Sequence, residues 1–479
     1  MKAVLVCFTF CLSFLSFSQS FDQTTPISVS TGEGNYHPQV EVLNDGNPAV
    51  IWTDFSQKDL YFAKYDGISA FEPSIQLNPP GFNVQSYNWS GPDFWMEGDN
   101  VYVIFRSEGY NTGHIYLVKS TDNGDTFSDT VRVDQLATGF GQYPDVAVLN
   151  DTVWVTFMDH NDSGLDPQYV VARSTDGGLT FEQEVAAGSL WNAEACDCCQ
   201  PEIVVDESKV VVFFRNNDNN TRDIKAVVSY DRGVTFTDMF SVDNHNWYIT
   251  SCPSTGPDAR FLSENKVLAT YKTTVSNIAE IYVNQYDIAA DASDALVQIT
   301  ATGAANQQLN YPQLDAKNGV MGIVWEGSGQ SIDVFINTSS SGAAGLNPDN
   351  AFNLTDASGA QNKPDIAVGD GLFHVVYADG GNVKYTQLTA LLSFEEIENE
   401  LDCNVYPNPA TDEINFEFDP AFTENGTLKI YNALGQAVLQ REITKGAAIN
   451  INTQLLESGV YHYSVESNSG SSVGQFTVN

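Results

Sequence analysis

Residues 143–157 read Tyr143-Pro-Asp-Val-Ala-Val-Leu-Asn-Asp-Thr-Val-Trp-Val-Thr-Phe157. Residues 145–149 alternate in polarity as a half-buried strand, Asn150-Asp151 supplies a turn, and residues 153–157 form a second strand. A polar loop over 158–167 follows, then a third strand at 169–173 and a fourth at 182–186. Four short strands joined by polar turns make one antiparallel sheet. The same unit recurs along the chain. Its proline stands at Pro38, Pro92, Pro144, Pro201, Pro257, Pro312 and Pro364, at steps of 52 to 57 residues. An aromatic follows each at Trp52, Phe105, Phe157, Phe214, Tyr271, Trp325 and Tyr377. A period of this size marks a repeat architecture. Seven such sheets set radially make an all-β, seven-bladed β-propeller, which shields its sheet edges by repetition. Six blades is the alternative count. The last unit lacks a fourth strand of its own, so residues 27–30 are expected to supply it and close the ring.

Outside the repeat, the N-terminus has the pattern of a signal peptide over residues 1–18. Lys2 provides the positive start, residues 3–17 are apolar, and Ser16 and Ser18 satisfy the small-residue rule for cleavage. That stretch is too short for a spanning helix, and no later segment is long and apolar enough. An exported chain that does not span a membrane is therefore expected. The net charge is -40, from 21 basic and 61 acidic residues. Such a field repels nucleic acid and anionic membranes. It suits solubility, with a structural calcium in the Asp-rich loops as the minority reading. Cys196, Cys198, Cys199 and Cys252 cluster in sequence around Pro201 and Pro257. In an exported chain, disulfides are their default, in pairings the sequence leaves open. A thiolate-bound metal is disfavoured by the adjacency of two of the ligands, and no metal site is assigned.

Three units carry a tighter motif after the third strand: Ser120-Thr-Asp-Asn-Gly-Asp-Thr-Phe127, Ser174-Thr-Asp-Gly-Gly-Leu-Thr-Phe181 and Ser229-Tyr-Asp-Arg-Gly-Val-Thr-Phe236. This pattern resembles the Asp box, or BNR repeat, of sialidases and related propellers. The resemblance implies that Asp122, Asp176 and Asp231 are structural, each gathering local hydrogen bonds in its turn. Sialidases also carry an Arg-Ile-Pro motif near the first sheet. The first unit here reads Tyr36-His-Pro-Gln39 and has no arginine. At the other end, residues 403–479 resemble the type A sorting domain of the type IX secretion system of Bacteroidetes. The pieces that match are Val405-Tyr-Pro-Asn-Pro-Ala410, Leu428-Lys-Ile-Tyr-Asn-Ala-Leu-Gly-Gln436, Gly459-Val-Tyr-His-Tyr-Ser464 and Gly474-Gln-Phe-Thr-Val-Asn479. A small β-sandwich is expected there, joined through an acidic linker at 395–402 to a propeller over 21–394. The resemblance implies passage across the outer membrane by that machinery, to the surface or the medium.

Propeller ligands gather where the loops between strands two and three meet those between blades. The residue after each repeated aromatic begins the first kind of loop. These residues are Thr53, Arg106, Met158, Arg215, Lys272, Glu326 and Ala378. Three cations in so acidic a chain suggest a pocket for a sugar carboxylate or sulfate, with Arg106, Arg215 and Lys272 as ligands. His245 and Trp247, on the loop between units four and five, are further ligand candidates. Asp159, His160, Glu326 and Tyr248 are the candidate acids, bases and nucleophiles. The expected function is recognition or cleavage of an extracellular glycan. A glycoside hydrolase comes first, a polysaccharide lyase acting on uronic acids second, and a non-catalytic adhesion module is the competing class.

Overall fold

The computed structural model describes residues 20–391 and 403–478, with breaks at 33, 88, 137, 162–166, 192–193, 301–307, 329–330, 419–425, 433–436, 445–447, 457 and 468–469. The signal-peptide segment and the linker at 395–402 fall outside these residues. The chain divides into two compact units, Met1–Leu391 and Leu392–Asn479.

The first unit contains seven antiparallel sheets among the described residues. Blade 3 consists of Phe140–Leu149, Thr152–His160, Gln168–Ser174 and Val185–Ala186, in that order. The innermost strands of blades 1 to 7 are Asn35–Val42, Asp93–Glu97, Phe140–Leu149, Glu202–Val205, Asp258–Ser263, Asn310–Lys317 and Gln361–Gly369. Each packs against the next, and the last packs against the first. The ring is closed as the repeat implied: Ile27–Ser30 pairs with Asn382–Leu391 of blade 7, and Ser20–Gln23 extends the same edge. Strand-pairing hydrogen bonds from the chain's start thus hold its last blade.

In four blades the innermost strand begins upstream of the repeated proline rather than after it. It is bulged there, between Tyr36 and Gln39, Gln142 and Asp145, Asn310 and Gln313, and Asn362 and Asp365. Proline has no N–H to give the ladder, so the pairing register breaks where it stands.

In four blades the residue after the proline is an aspartate with the same structural task. Asp365 Oδ2 accepts the Val40 N–H at 2.7 Å, Asp93 Oδ2 that of Val146 at 3.3 Å, and Asp145 Oδ2 that of Ile203 at 2.5 Å. Asp258 does the same for Leu314. Each carboxyl reaches the second residue after the proline of the next blade, so the repeat is stitched around its axis. Between blades, apolar clusters such as Val204, Phe213, Ile224, Ala259, Val267 and Tyr271 fill the wedge.

The Asp boxes are local turns. Asp176 accepts hydrogen bonds from Ser174 Oγ at 2.7 Å, Thr180 N at 2.9 Å and Thr180 Oγ1 at 2.6 Å. Asp122 and Asp231 repeat this set. These donors hold all three carboxyls down at about 2.

The second unit has two sheets. One pairs Cys403–Tyr406, Glu413–Phe418 and Ile449–Asn452; the other pairs Ala437–Ile443, Gly426–Tyr431, Gly459–Ser467 and Gly470–Val478. Ile414, Phe416, Leu428, Ile430, Val465 and Phe476 form the core of this small sandwich. No helix among the described residues is long and apolar enough to cross a membrane.

Candidate functional site

The inner strands enclose a channel lined by His37, Trp89, Asp145, Gln200, Glu202, Asp258, Arg260, Tyr311, Lys363 and Asp365, with neighbours. Its shaft is acidic. Glu41, Asp93, Asp145, Glu202, Asp258, Asp315 and Asp365 surround one cation, Arg260. Arg260 donates to Glu41 at 3.0 Å and to Asp315 at 3.1 Å. All of these carboxyls but Asp315 touch the lumen and are otherwise walled by protein. Burial first, then mutual repulsion, raises Asp145, Glu202 and Asp365 well above the usual range. Glu41 is pushed up to about 8 and Asp258 to about 7, by burial against the pull of Arg260.

The mouth is built from the residue before each proline: His37, Gly91, Tyr143, Gln200, Gly256, Tyr311 and Lys363. His37, Tyr143, Tyr311 and Lys363 have φ of 47°, 54°, 45° and 53°. Left-handed backbone at a non-glycine residue is costly, more so before proline, and such outliers cluster at ligand sites. The bulge pays that cost to hold three large polar side chains, His37, Tyr311 and Lys363, at the rim of the channel, while Tyr143 packs into the apolar cluster with Trp154 and Tyr169. The two glycines do the opposite. A Cβ on Gly91 would lie 2.8 Å from the His37 Cβ, and one on Gly256 2.2 Å from the Gln200 carbonyl.

One group at the mouth combines charge with burial. Glu326 on blade 6 is buried and accepts the Lys363 N–H at 2.7 Å, with Lys363 Nζ at 3.5 Å. Lys363 Nζ lies 4.1 Å above the Tyr311 ring and 5.8 Å from that of Tyr36. Lys272 of blade 5 has its Nζ 3.5 Å from Asn310 Oδ1 and, among the described residues, makes no ion pair. Burial, then repulsion from Arg215, pushes Lys272 down to about 8. Burial also lowers Lys363 and raises Glu326. Tyr36 and Tyr311 are raised by burial and then by Glu326. Opposed shifts in one cleft make this group the candidate functional site.

The other expected residues fall elsewhere. Arg106 does not present a free fork. It donates to the carbonyls of Gly141 at 2.6 Å, Gly109 at 2.7 Å and Ser107 at 3.3 Å. Arg215 likewise donates to Thr255, Arg222 and Lys272 carbonyls at 3.1, 2.7 and 2.8 Å. Both guanidiniums tie loops together, because strand ends at the mouth leave carbonyls without ladder partners. Trp247 is buried and stacks on Arg215 at 5.0 Å, so its ring is not a sugar platform. His245 pairs with Asp243 at 2.6 Å and stacks on Tyr282 at 4.3 Å. Asp159, raised to about 6 by burial and then by Glu184 and Asp134, belongs to a different acidic group from Glu326. His160 is buried against Phe140 at 4.7 Å. Tyr248 is exposed on the loop between blades 4 and 5. Glu326 and Lys272 are thus the expected residues that meet. Tyr36, His37, Tyr311 and Lys363, also at this mouth, lay outside the expected set. Their signal was available, since each stands at or next to the position before a repeated proline.

Cys198 and Cys252 form a disulfide that ties the loops entering blades 4 and 5. Among the described residues, three ligand atoms meet only in Cys196–Cys198–Cys199 and Asp197–Cys198–Cys252. The Asp-rich loops offer no comparable set for calcium.

Residues 95–313 match a BNR repeat-like domain, and residues 404–479 match a secretion system C-terminal sorting domain. No curated protein matches the chain. Among solved structures, a protein of unknown function from Dyadobacter fermentans is 13% identical, with TM-score 0.46, over 66% of this chain and 98% of that one. The alpha-L-arabinofuranosidase of Fusarium graminearum is 15% identical, with TM-score 0.44, over 66% and 96%. The sialidase of Trypanosoma rangeli is 10% identical, with TM-score 0.43, over 92% and 84%.

Proposed function

We infer that this chain, an exported propeller of the BNR repeat-like family with a C-terminal secretion sorting domain, recognises an anionic extracellular glycan at its channel mouth. The sorting domain engages the secretion machinery that delivers the protein to the surface or the medium. The observation that carries the glycan reading is Lys272. It is a mostly buried ammonium that makes no ion pair among the described residues, with Glu326 acting on it from beyond contact distance, in a chain whose net charge is -40. A buried cation without an acid in contact is costly, and a sugar carboxylate or sulfate would supply that contact. Tyr36, Tyr311 and His37, grouped with Lys363 at the same mouth, bring aromatic rings and hydroxyls of a kind that suits a sugar.

Titration calorimetry with uronate- or sulfate-bearing oligosaccharides and their neutral counterparts tests this. The charged ligands are expected to bind more tightly. Lys272→Met is expected to weaken them by roughly 10- to 100-fold, the range for one charged hydrogen bond. Equal affinity for charged and neutral ligands, or an unaffected variant, overturns the reading.

Cleavage is the second reading, and Glu326 favours it. Burial shifts its pKa upward, against the pull of Lys363, which is the direction a general acid requires. A two-carboxylate hydrolase needs a second acid across the bond. At the mouth, the neighbours that Glu326 feels most are lysines and tyrosines instead. That set suits proton abstraction beside a sugar carboxylate better than hydrolysis. Scoring the same ligands for reducing ends and for unsaturated uronates separates the two; neither product leaves binding alone.

A further inference from the structure

The loop entering blade 4 holds a second pair of sulfurs. Cys196 and Cys199 are fully buried, with their Sγ atoms 3.0 Å apart. Cys198 Sγ is farther from each, at 3.7 and 3.9 Å, and is already joined to Cys252. The turn is rigidly held. Cys198 N and Cys199 N donate to the Cys196 carbonyl at 2.8 and 3.2 Å. Tyr169 Oη donates to the Cys196 and Cys199 carbonyls at 3.2 and 3.0 Å. Arg222 Nη1 lies 2.9 Å from Cys196 Sγ. We propose that Cys196 and Cys199 close a second disulfide in the exported protein, locking this loop from within as Cys198–Cys252 locks it from without.

Closing to the bonded separation of about 2.05 Å needs a shift of about 1 Å, within reach of side-chain rotation. The rival is a thiolate metal site, and two observations weigh against it. With Cys198 bonded to Cys252, two sulfurs remain where a closed site needs about four ligands. Arg222 also sets a positive charge against Cys196, where a cation would have to sit.

The chemistry balances by thiol–disulfide exchange with an external disulfide, carried by a thiol oxidant of the exporting cell. The Cys196 thiolate attacks one sulfur of that disulfide and releases the other as a thiolate. The Cys199 thiolate then attacks the Cys196 sulfur and releases the reduced oxidant. The two protons and two electrons lost by the cysteines end on the oxidant's two thiols. The Cys196 thiol is suited to the first attack. Its pKa is pulled down, first by the hydrogen bond with Cys199 and then by Arg215 and Arg222, against the opposing effect of burial.

The test uses the full chain, unfolded without reductant in excess iodoacetamide and then cut with trypsin. Residues 174–209, with three cysteines, and residues 233–260, with Cys252, are expected to travel as one linked species. That species should carry no alkyl group and should be about four mass units lighter than the two reduced peptides together, two per disulfide. The free Cys403 is the control for alkylation. A species with two alkyl groups on residues 174–209 overturns the proposal. So does stoichiometric zinc or copper in the purified protein, measured together with alkylatable Cys196 and Cys199.

Discussion

The shaft and the mouth of the channel are made by neighbouring positions of one repeat, on either side of the same prolines. After the proline stand Gln39, Asp93, Asp145, Glu202, Asp258, Gln313 and Asp365, mostly acids, and the four aspartates join blades. Before it stand His37, Gly91, Tyr143, Gln200, Gly256, Tyr311 and Lys363, which span five residue types. The difference teaches where a repeat protein keeps its chemistry. A position that joins blades meets a similar demand around the ring and favours carboxyl side chains. A position at the channel mouth is free of that demand and varies.

The comparison can be broken first at Arg260. If the shaft is structural, Arg260→Met strands Glu41 and Asp315, and the loss should be about 3 kcal/mol or more, read by chemical denaturation. A variant of normal stability and impaired glycan binding would move the functional site down into the shaft. Lys272→Met should show the reverse pattern: a large loss of affinity, and stability within about 1 kcal/mol, because the Lys272 contact with Arg215 is made by its main-chain carbonyl.

The two regions also answer differently to pH. Glu41 and Asp258 are raised in the folded state to about 8 and 7. The folded protein therefore holds more protons than the unfolded chain between about pH 4.5 and 8, and stability falls as pH rises through that window. The melting temperature should decline from pH 5 to pH 8; a rise would contradict protonated shaft acids. Lys272 is lowered to about 8, so anion affinity should hold below that pH and fall above it. The smallest effect is expected at Asp365. Its task is to accept the Val40 N–H, which an amide oxygen can also do, so it should tolerate Asp365→Asn within about 1 kcal/mol, whereas Asp365→Ala leaves that donor unpaired and costs about 1–3 kcal/mol.

Much of the fold was legible along the chain. The spacing of Pro38 to Pro364 counted the blades, and residues 27–30 could be placed on the last sheet because that unit was one strand short. Glu326 and Lys272 were legible as breaks in the repeat after each aromatic. Arg106 and Arg215 were misread at the same position. Nothing local distinguishes an arginine that meets a ligand from one that meets the carbonyls of Gly141 or Thr255, which lie 35 and 40 residues on. Lys363 and Tyr311 were hidden for a related reason: the bulge that turns them to the mouth exists only once the proline interrupts a paired strand.

Sequence alone determined the period, the strand pattern, the Asp-box turns, the sorting domain and the supply of charge. These rest on local hydrogen bonding and on the alternation of apolar residues, which short stretches of chain encode. Tertiary structure decided which charges are balanced. Lys272 and Arg260 are both cations on blade 5, yet among the described residues one makes no ion pair and the other makes two. That outcome depends on which blades surround them, and burial makes the difference consequential by removing the water that would otherwise screen it.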